Sequence, residues 1–416
     1  MTNAHSDRPA GARRGAAFAR AAAISLAATW ALHLPGRAEP AGAAAESQAE
    51  PDTVAYTQLH AFTPDEGACP NGALLEASDG RFYGMTRGGG RHGLGTLYRM
   101  SRQGHVEVLH TFGQGTAEGK TPNGSLIQVG DSLYGATQGG GEFGDGTVFR
   151  IGLDGTFTIL HSFSEAVDGK WPQGPLLLAS DGKLYGETEW GGPHGGGTVF
   201  RMDLQGHLST LWDMDPDDPR DLSSPSGGLI QASYGFLVGT AIHGGHAFNG
   251  GVFVVQIDSA RGILHEFDGN DGFDATSGVI QGRDLAFYGV TASDSATAGG
   301  VAFRLEVNGQ YDVLRRFRSD DGGFWRPNGP LVTSGGQGAK LVGTATAGGA
   351  FDRGGIWRLS PDGRLKTLHD FGESIEGGVD GSEPNAGLVR SGRAYFGTTC
   401  GGGAADRGTV FRIGWH

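Results

Sequence analysis

Tyr134-Gly135-Ala136-Thr137, then Gly146-Thr147-Val148-Phe149-Arg150, then Leu160-His161-Ser162-Phe163 follow one another along a short stretch of chain. Those three strings decide the fold, because each of them recurs. Tyr-Gly-x-Thr returns at residues 83–86, 185–188 and 288–291, with variants from Val238, Val342 and Phe396. Gly-Thr-Val-Phe-Arg returns at 197–201 and 408–412, with near copies at 95–99, 300–304 and 354–358 and a weaker one from Gly250. Leu-His-x-Phe returns at 59–62, 109–112, 264–267 and 368–371, with degenerate copies at 211–214 and 314–317. Each marker occurs seven times across residues 56–413, the self-similarity of a repeat architecture with a unit of about 50 residues.

Each unit reads as four short strands. In the third, residues 175–179 are apolar, Ser180-Asp181-Gly182 turns, 183–188 form a second strand, and a Gly-rich loop leads to 198–202. Asp203-Leu204-Gln205-Gly206 then turns into 208–214. Val, Leu, Ile, Phe and Tyr between Asp-Gly and Gly turns are strand signals, and no stretch carries a sustained helical period. The expected fold is all-β: a seven-bladed β-propeller of four-stranded blades. A solenoid would need shorter turns, and an open array would leave strand edges bare. With Leu-His-x-Phe on the outermost strand, the chain begins with an outermost strand, 56–62, and ends with a third strand, 409–413. The N-terminal strand is therefore expected to complete the last blade and close the ring.

The 416 residues include 78 Gly, more than twice the ordinary share, and their fixed period marks tight turns rather than low complexity. A net charge of −13 argues against a nucleic-acid or anionic-membrane binder. Residues 1–43 read as a signal peptide: Arg13 and Arg14 precede a small-residue apolar stretch, with cleavage after Ala38 or Ala43. The arginine pair leaves Sec and twin-arginine export both open. Residues 44–55 read as a short linker and 56–416 as the propeller, with no later membrane-spanning segment.

The markers resemble the GloVer tandem repeat of bacterial surface or exported "choice-of-anchor" proteins, and the likeness covers essentially all of the chain after the signal peptide. It implies an exported, propeller-like protein and brings no assigned activity or catalytic residues. The family name implies a variable anchoring tail. The last strand here is followed only by Gly414-Trp415-His416, from which a soluble periplasmic or secreted protein is expected.

Two loop sets are expected on one face: those joining blades and those between second and third strands, which makes that face the candidate binding face. The interblade loops carry Glu66-Gly67, Glu118-Gly119, Asp168-Gly169, Asp271-Gly272, Asp321-Gly322 and Asp380-Gly381. These read as turn chemistry, with a carboxylate ring for cations or a basic ligand as the alternative. Asp268, Asn270 and Asp271 resemble part of a calcium loop but lack its spaced Glu; otherwise no cofactor is expected. Trp171, Trp190, Trp325, Phe143 and His194, with Phe324, His92, His243 and His246 nearby in the same loops, suit sugar rings, which offer apolar faces and hydroxyl edges. The alternative for these rings is packing between blades. His243 and His246 alone make a poor metal site.

The His of Leu-His-x-Phe and the Arg of Val-Phe-Arg recur in blade after blade, which favours structure over catalysis. Arg150 and His161 should share a side and satisfy buried polar groups between blades. No nucleophile elbow, zinc-protease motif or phosphate loop occurs. The expected function is ligand or glycan binding by an exported monomer, with a structural or protein-interaction scaffold as alternative and a polysaccharide hydrolase or lyase as second alternative. Cys69 and Cys400 are the only cysteines. Export permits a bridge, and ring closure would bring their two loops together.

Overall fold

The computed structural model describes residues 54–415 apart from 116, 258–259, 321–322, 335–339 and 377. The predicted signal peptide, nearly all of the linker and the Asp321-Gly322 pair lie outside the described residues. Among those described, all regular secondary structure is strand, and no helix is long and apolar enough to cross a membrane.

Seven sheets follow the repeat, each with a path of four antiparallel strands, and a small three-stranded sheet decorates the last unit. In the second sheet, Gly119–Val129, Ser132–Gly140, Thr147–Gly152 and Phe157–Ser162 pair in sequence order. The markers sit on the second, third and fourth strands as expected. The first strand is longer than its apolar pattern suggests. In the third sheet it spans Lys170–Leu178, because pairing with Leu184–Trp190 continues past a bulge.

Successive residues of a strand point to opposite faces, and here both faces are buried. Phe149 packs with Tyr83, Leu97 and Phe112 of the first sheet. Its neighbour Val148 packs with Leu184, Phe200 and Met202 of the third. The Val-Phe pair of the marker thus feeds two cores. A cluster of this kind joins every successive pair of sheets. One more joins Ala394, Phe396 and Val410 of the last sheet to Phe82, Tyr98 and Met100 of the first. The Gly of Tyr-Gly-x-Thr is the hollow for the marker aromatic: a Cβ on Gly186 would lie 2.4 Å from Phe200 Cζ, and one on Gly343 2.4 Å from Trp357.

The N-terminal strand Val54–Ala61 pairs with Thr409–Trp415 on the edge of the last sheet, with Tyr56 opposite Ile413 and Ala61 opposite Thr409. Tyr56 stacks on His369 at 3.8 Å and donates its hydroxyl to the Asp380 carbonyl at 2.7 Å. Tyr311, on the fourth strand of the fifth sheet, does the same with His265 at 4.0 Å and the Asp271 carbonyl at 2.6 Å. Phe157 in the second sheet stacks on His110 at 3.9 Å. The chain start therefore fills the place that a fourth strand fills elsewhere.

A candidate binding rim

The recurrent polar residues meet in one network. The histidine Nε2 donates to the acid of the following acid–Gly pair: His110 to Glu118 at 2.6 Å, His161 to Asp168 at 2.6 Å, His265 to Asp271 at 2.7 Å, His369 to Asp380 at 2.7 Å and His60 to Glu66 at 3.2 Å. The same carboxylates accept loop amides, as Asp168 does from Ser164 at 2.8 Å. In the third unit Trp212 replaces the histidine and its indole N–H reaches Asp221 at 3.3 Å. Burial would raise the Glu66 carboxyl, yet hydrogen bonds from Thr63 and the neighbouring His60 hold it below its ordinary value. Burial pushes the His110 imidazole down, against the pull of Glu118.

The threonines of the other two markers pair through their hydroxyls, Thr137 with Thr147 at 2.8 Å and Thr188 with Thr198 at 2.9 Å. Thr198 also donates to the Asp168 carbonyl at 2.9 Å. The next residue must be glycine: a Cβ on Gly169 would stand 1.9 Å from Thr188 Oγ1. The recurrent His thus acts structurally, within its own loop. The recurrent Arg meets the interblade expectation only in part: Arg201 donates to the Ile257 carbonyl of the next unit at 3.4 Å, while others pair within their own unit. Arg99 pairs with Glu107 across its own hairpin, and Arg304 pairs with Asp284 and Glu306. Those two arginines find partly exposed acidic partners, whereas Arg358 is buried.

What varies lies on the first strand or just ahead of it. Cys69, Thr121, Trp171, Ser224, Asp274, Arg326 and Glu383 occupy equivalent places, all left-handed with φ between 53° and 57°. All but Asp274 precede proline. Such backbone costs on the order of 1–3 kcal/mol per residue and persists only where its surroundings over-determine it. Five of these amides are tied to the preceding unit: Thr121 to the Leu94 carbonyl at 2.9 Å, Trp171 to Asp145 at 2.8 Å, Ser224 to Gly196 at 2.8 Å, Glu383 to Arg353 at 3.0 Å and Cys69 to Arg407 at 2.9 Å. The backbone repeats while its side chain differs in every unit. A further repeat, Pro-Asn-Gly at Pro70, Pro122 and Pro327, is the sequence signal that points to these positions. Its amides run between units, Asn71 to Asn123 at 2.6 Å, then Asn123 to Gln173, whose own Nε2 reaches Glu189 at 2.5 Å. A Cβ on Gly72 would lie 2.1 Å from the Gly124 carbonyl, so first strands touch there.

The two loop sets do lie together: Gly141 N donates to the Glu118 carbonyl at 3.0 Å and Gly192 N to that of Glu165 at 2.7 Å. The candidate aromatics are not all loop residues. Trp171 and Trp325 lie on first strands and Trp190 ends a second strand. The X-Pro step that reads as a loop stays in pairing register, and the bulge comes only after it. Phe143, Trp171 and His194 are exposed, Trp190 and Trp325 half-buried, and Phe324 buried. Lys170 sits 5.3 Å over the Trp171 ring, and Trp190 lies 6.4 Å from His243. Among the described residues no two of Phe143, Trp171, Trp190 and Trp325 form a ring pair, so they do not make one platform. His194 meets Asp213 at 2.5 Å, a hydrogen bond that raises the imidazole above its usual value, and His246 meets Glu266 at 2.8 Å. Asp271 is engaged by His265 and the Asp268 amide, while Asp268 accepts the Asn270 and Asp271 amides. Among the described residues no three His, Cys, Asp or Glu side chains are grouped to hold a metal ion.

Cys69 and Cys400 form a disulfide. Cys69 lies on the strand Ala68–Pro70 rather than in a loop, at the left-handed position. Glu187 is a residue that the markers hide. It replaces Met85 and Ala136 of other units, and its Oε2 accepts the Gly228 amide at 2.8 Å. Its Oε1 is buried without a partner. Burial pushes the carboxyl up to about 8.

A family model described as the Gloeobacter/Verrucomicrobia repeat matches residues 41–253 and again 224–415. The chain belongs to that family. No curated protein matches the chain. Among solved structures, this member of the Gloeobacter/Verrucomicrobia repeat family is similar to the extracellular domain of a hybrid two-component system from B. thetaiotaomicron. That likeness covers 88% of this chain and 43% of that one, at 11% identity and a TM-score of 0.54. A puromycin hydrolase is similar over 80% of this chain and 50% of its own, at 14% identity and a TM-score of 0.52. A gluconolactonase from Xanthomonas campestris is similar over 92% and 100%, at 13% identity and a TM-score of 0.43, a level that carries no argument. At such identities the likeness concerns fold alone, and that fold is propeller-like.

Proposed function

We propose that the protein is an exported, monomeric ligand-binding module that holds glycans on the loop rim of a closed, seven-bladed propeller. Closure is supported by the apolar cluster between the last and first sheets, by the N-terminal strand on the last sheet and by the Cys69–Cys400 bridge. The bridge and the Arg13-Arg14 leader support export to an oxidising compartment.

The observation that carries the binding reading is the left-handed position. Every group repeated in the markers is used inside the fold, whereas this strained position presents a different side chain in each unit, with Trp171, Arg326 and Glu383 exposed. A ring of rigid backbone with changeable side chains is a recognition surface. Asp268 and Asp271 are occupied by turn and histidine bonds, which favours binding without calcium.

A glycan array probed with the mature protein tests this reading, with Trp171→Ala as the paired variant. Retention on one or a few glycans, weakened in the variant at unchanged melting temperature, is expected. No retention on any saccharide would overturn it.

A further inference from the structure

Resting on that glycan-binding reading, we propose that the cleft between the sixth and seventh units is a subsite for a neutral pyranose residue. The cleft has a volume of about 590 Å³, within the roughly 300–1,000 Å³ of small-ligand pockets. It brings together two of the left-handed residues, Arg326 from one unit and Glu383 from the next, with Trp325, Phe351, Arg353 and Asn385. The walls are tied across the units, since the Glu383 amide donates to the Arg353 carbonyl at 3.0 Å. Thr346 Oγ1 donates to the Arg326 carbonyl at 3.3 Å.

The chemistry selects the ligand class. Phe351 is 50% exposed and Trp325 half-buried, so two aromatic surfaces line the space, which suits the apolar face of a sugar ring. Among the described residues, neither guanidinium nor the Glu383 carboxylate is held in an ion pair, which leaves donors and acceptors for ring hydroxyls. Arg326 and Arg353 are balanced by Asp352 and Glu383. With two guanidiniums against two carboxylates, a uronate or an amino sugar gains no net attraction yet must give up its own hydration. A neutral hexose has no charge to desolvate. The other candidate aromatics lack this setting: Trp171 stands beneath Lys170, and Phe143 on a loop.

Isothermal titration of the mature protein tests the assignment with neutral gluco-, manno- and galacto-oligosaccharides, oligogalacturonate and chitosan oligomers as probes. The variants are Trp325→Ala, Arg353→Ala and Arg326→Asn; Asn tolerates the left-handed backbone. One neutral oligosaccharide should bind, at least tenfold more weakly in Trp325→Ala and Arg326→Asn, with melting temperatures unchanged. Trp171→Ala, in a distant unit, should weaken that probe less than either cleft variant does. Binding lost in Trp171→Ala but kept in the cleft variants would overturn the subsite and leave the glycan reading intact. Preference for oligogalacturonate or chitosan, lost in the cleft variants, would overturn the neutral ligand alone. No binding of any saccharide would overturn both. Should Trp325→Ala fail to fold, Arg353→Ala, exposed at the cleft mouth, decides the question.

Discussion

Replacing Tyr56 tests whether the N-terminal strand carries the load of a fourth strand. In Tyr56→Ala the ring lost stacks on His369 at 3.8 Å and lies 6.0 Å from Phe371 and 5.9 Å from Phe411. Truncating a well-packed aromatic costs about 3–5 kcal/mol. The half-buried ring belongs at the low end, about 3 kcal/mol. Tyr56→Phe keeps the ring and loses only the hydroxyl's bond to the Asp380 carbonyl. That carbonyl still accepts Thr409 Oγ1 at 3.2 Å, so the loss falls at the low end for a hydrogen bond, about 0.5–1 kcal/mol. The second unit already carries Phe157 at this place, and Tyr311→Ala in the fifth unit is the matched interior control. Guanidinium unfolding followed by tryptophan fluorescence measures all three. Tyr56→Ala should lower stability about as much as Tyr311→Ala, and Tyr56→Phe far less. An unchanged midpoint for Tyr56→Ala beside a lowered one for Tyr311→Ala would refute the reasoning, because the terminal strand would then be ornamental.

Three further expectations concern stability. Glu187 titrates near 8 when folded and near 4.5 when unfolded. Its contribution is complete below about pH 4.5 and declines as pH rises to 8, by up to about 1.4 kcal/mol per unit. The melting temperature of Glu187→Gln relative to the parent should therefore climb between pH 5 and 8, and a difference independent of pH would count against the buried proton. Gly186→Ala forces a methyl to 2.4 Å from the buried Phe200 ring and should cost about 1–3 kcal/mol or more. Gly182→Ala, in open space at φ 77°, should cost about 1 kcal/mol; equal losses in thermal unfolding would argue against the hollow. Removing the bridge in Cys69→Ser/Cys400→Ser frees a loop of 331 residues, for which chain entropy sets an upper figure of about 6 kcal/mol. A chemical-denaturation midpoint equal to that of the oxidised protein would exclude that role.

Much of the fold is legible in the sequence because repetition amplifies weak local signals. One Tyr-Gly-x-Thr says little; seven in register with Val-Phe-Arg and Leu-His-x-Phe mark strand order, turn positions and the unpaired strand at each end. The same repetition separates structural from variable polar residues, which is why the histidine and its acid read correctly as scaffold. The first strand was harder. Its X-Pro step looks like a loop, so Trp171 and Trp325 read as loop residues, although pairing runs through that step before the bulge. Glu187 was invisible because an acid on a strand reads as exposed until a neighbouring sheet is seen to cover it.

The sequence by itself determined the unit, its four strands and which residues every unit needs, because turn chemistry and alternation act over a few residues. It also singled out Cys69 and Cys400 as a pair, once the ring was assumed to close. Only the tertiary structure decided which side chains meet across units. Asn71 with Asn123 and Tyr56 with His369 are contacts, and Arg326 and Glu383 line one cleft, between residues roughly 50 to more than 300 apart. Their proximity depends on how each sheet is rotated and packed against the next, and no local preference encodes that.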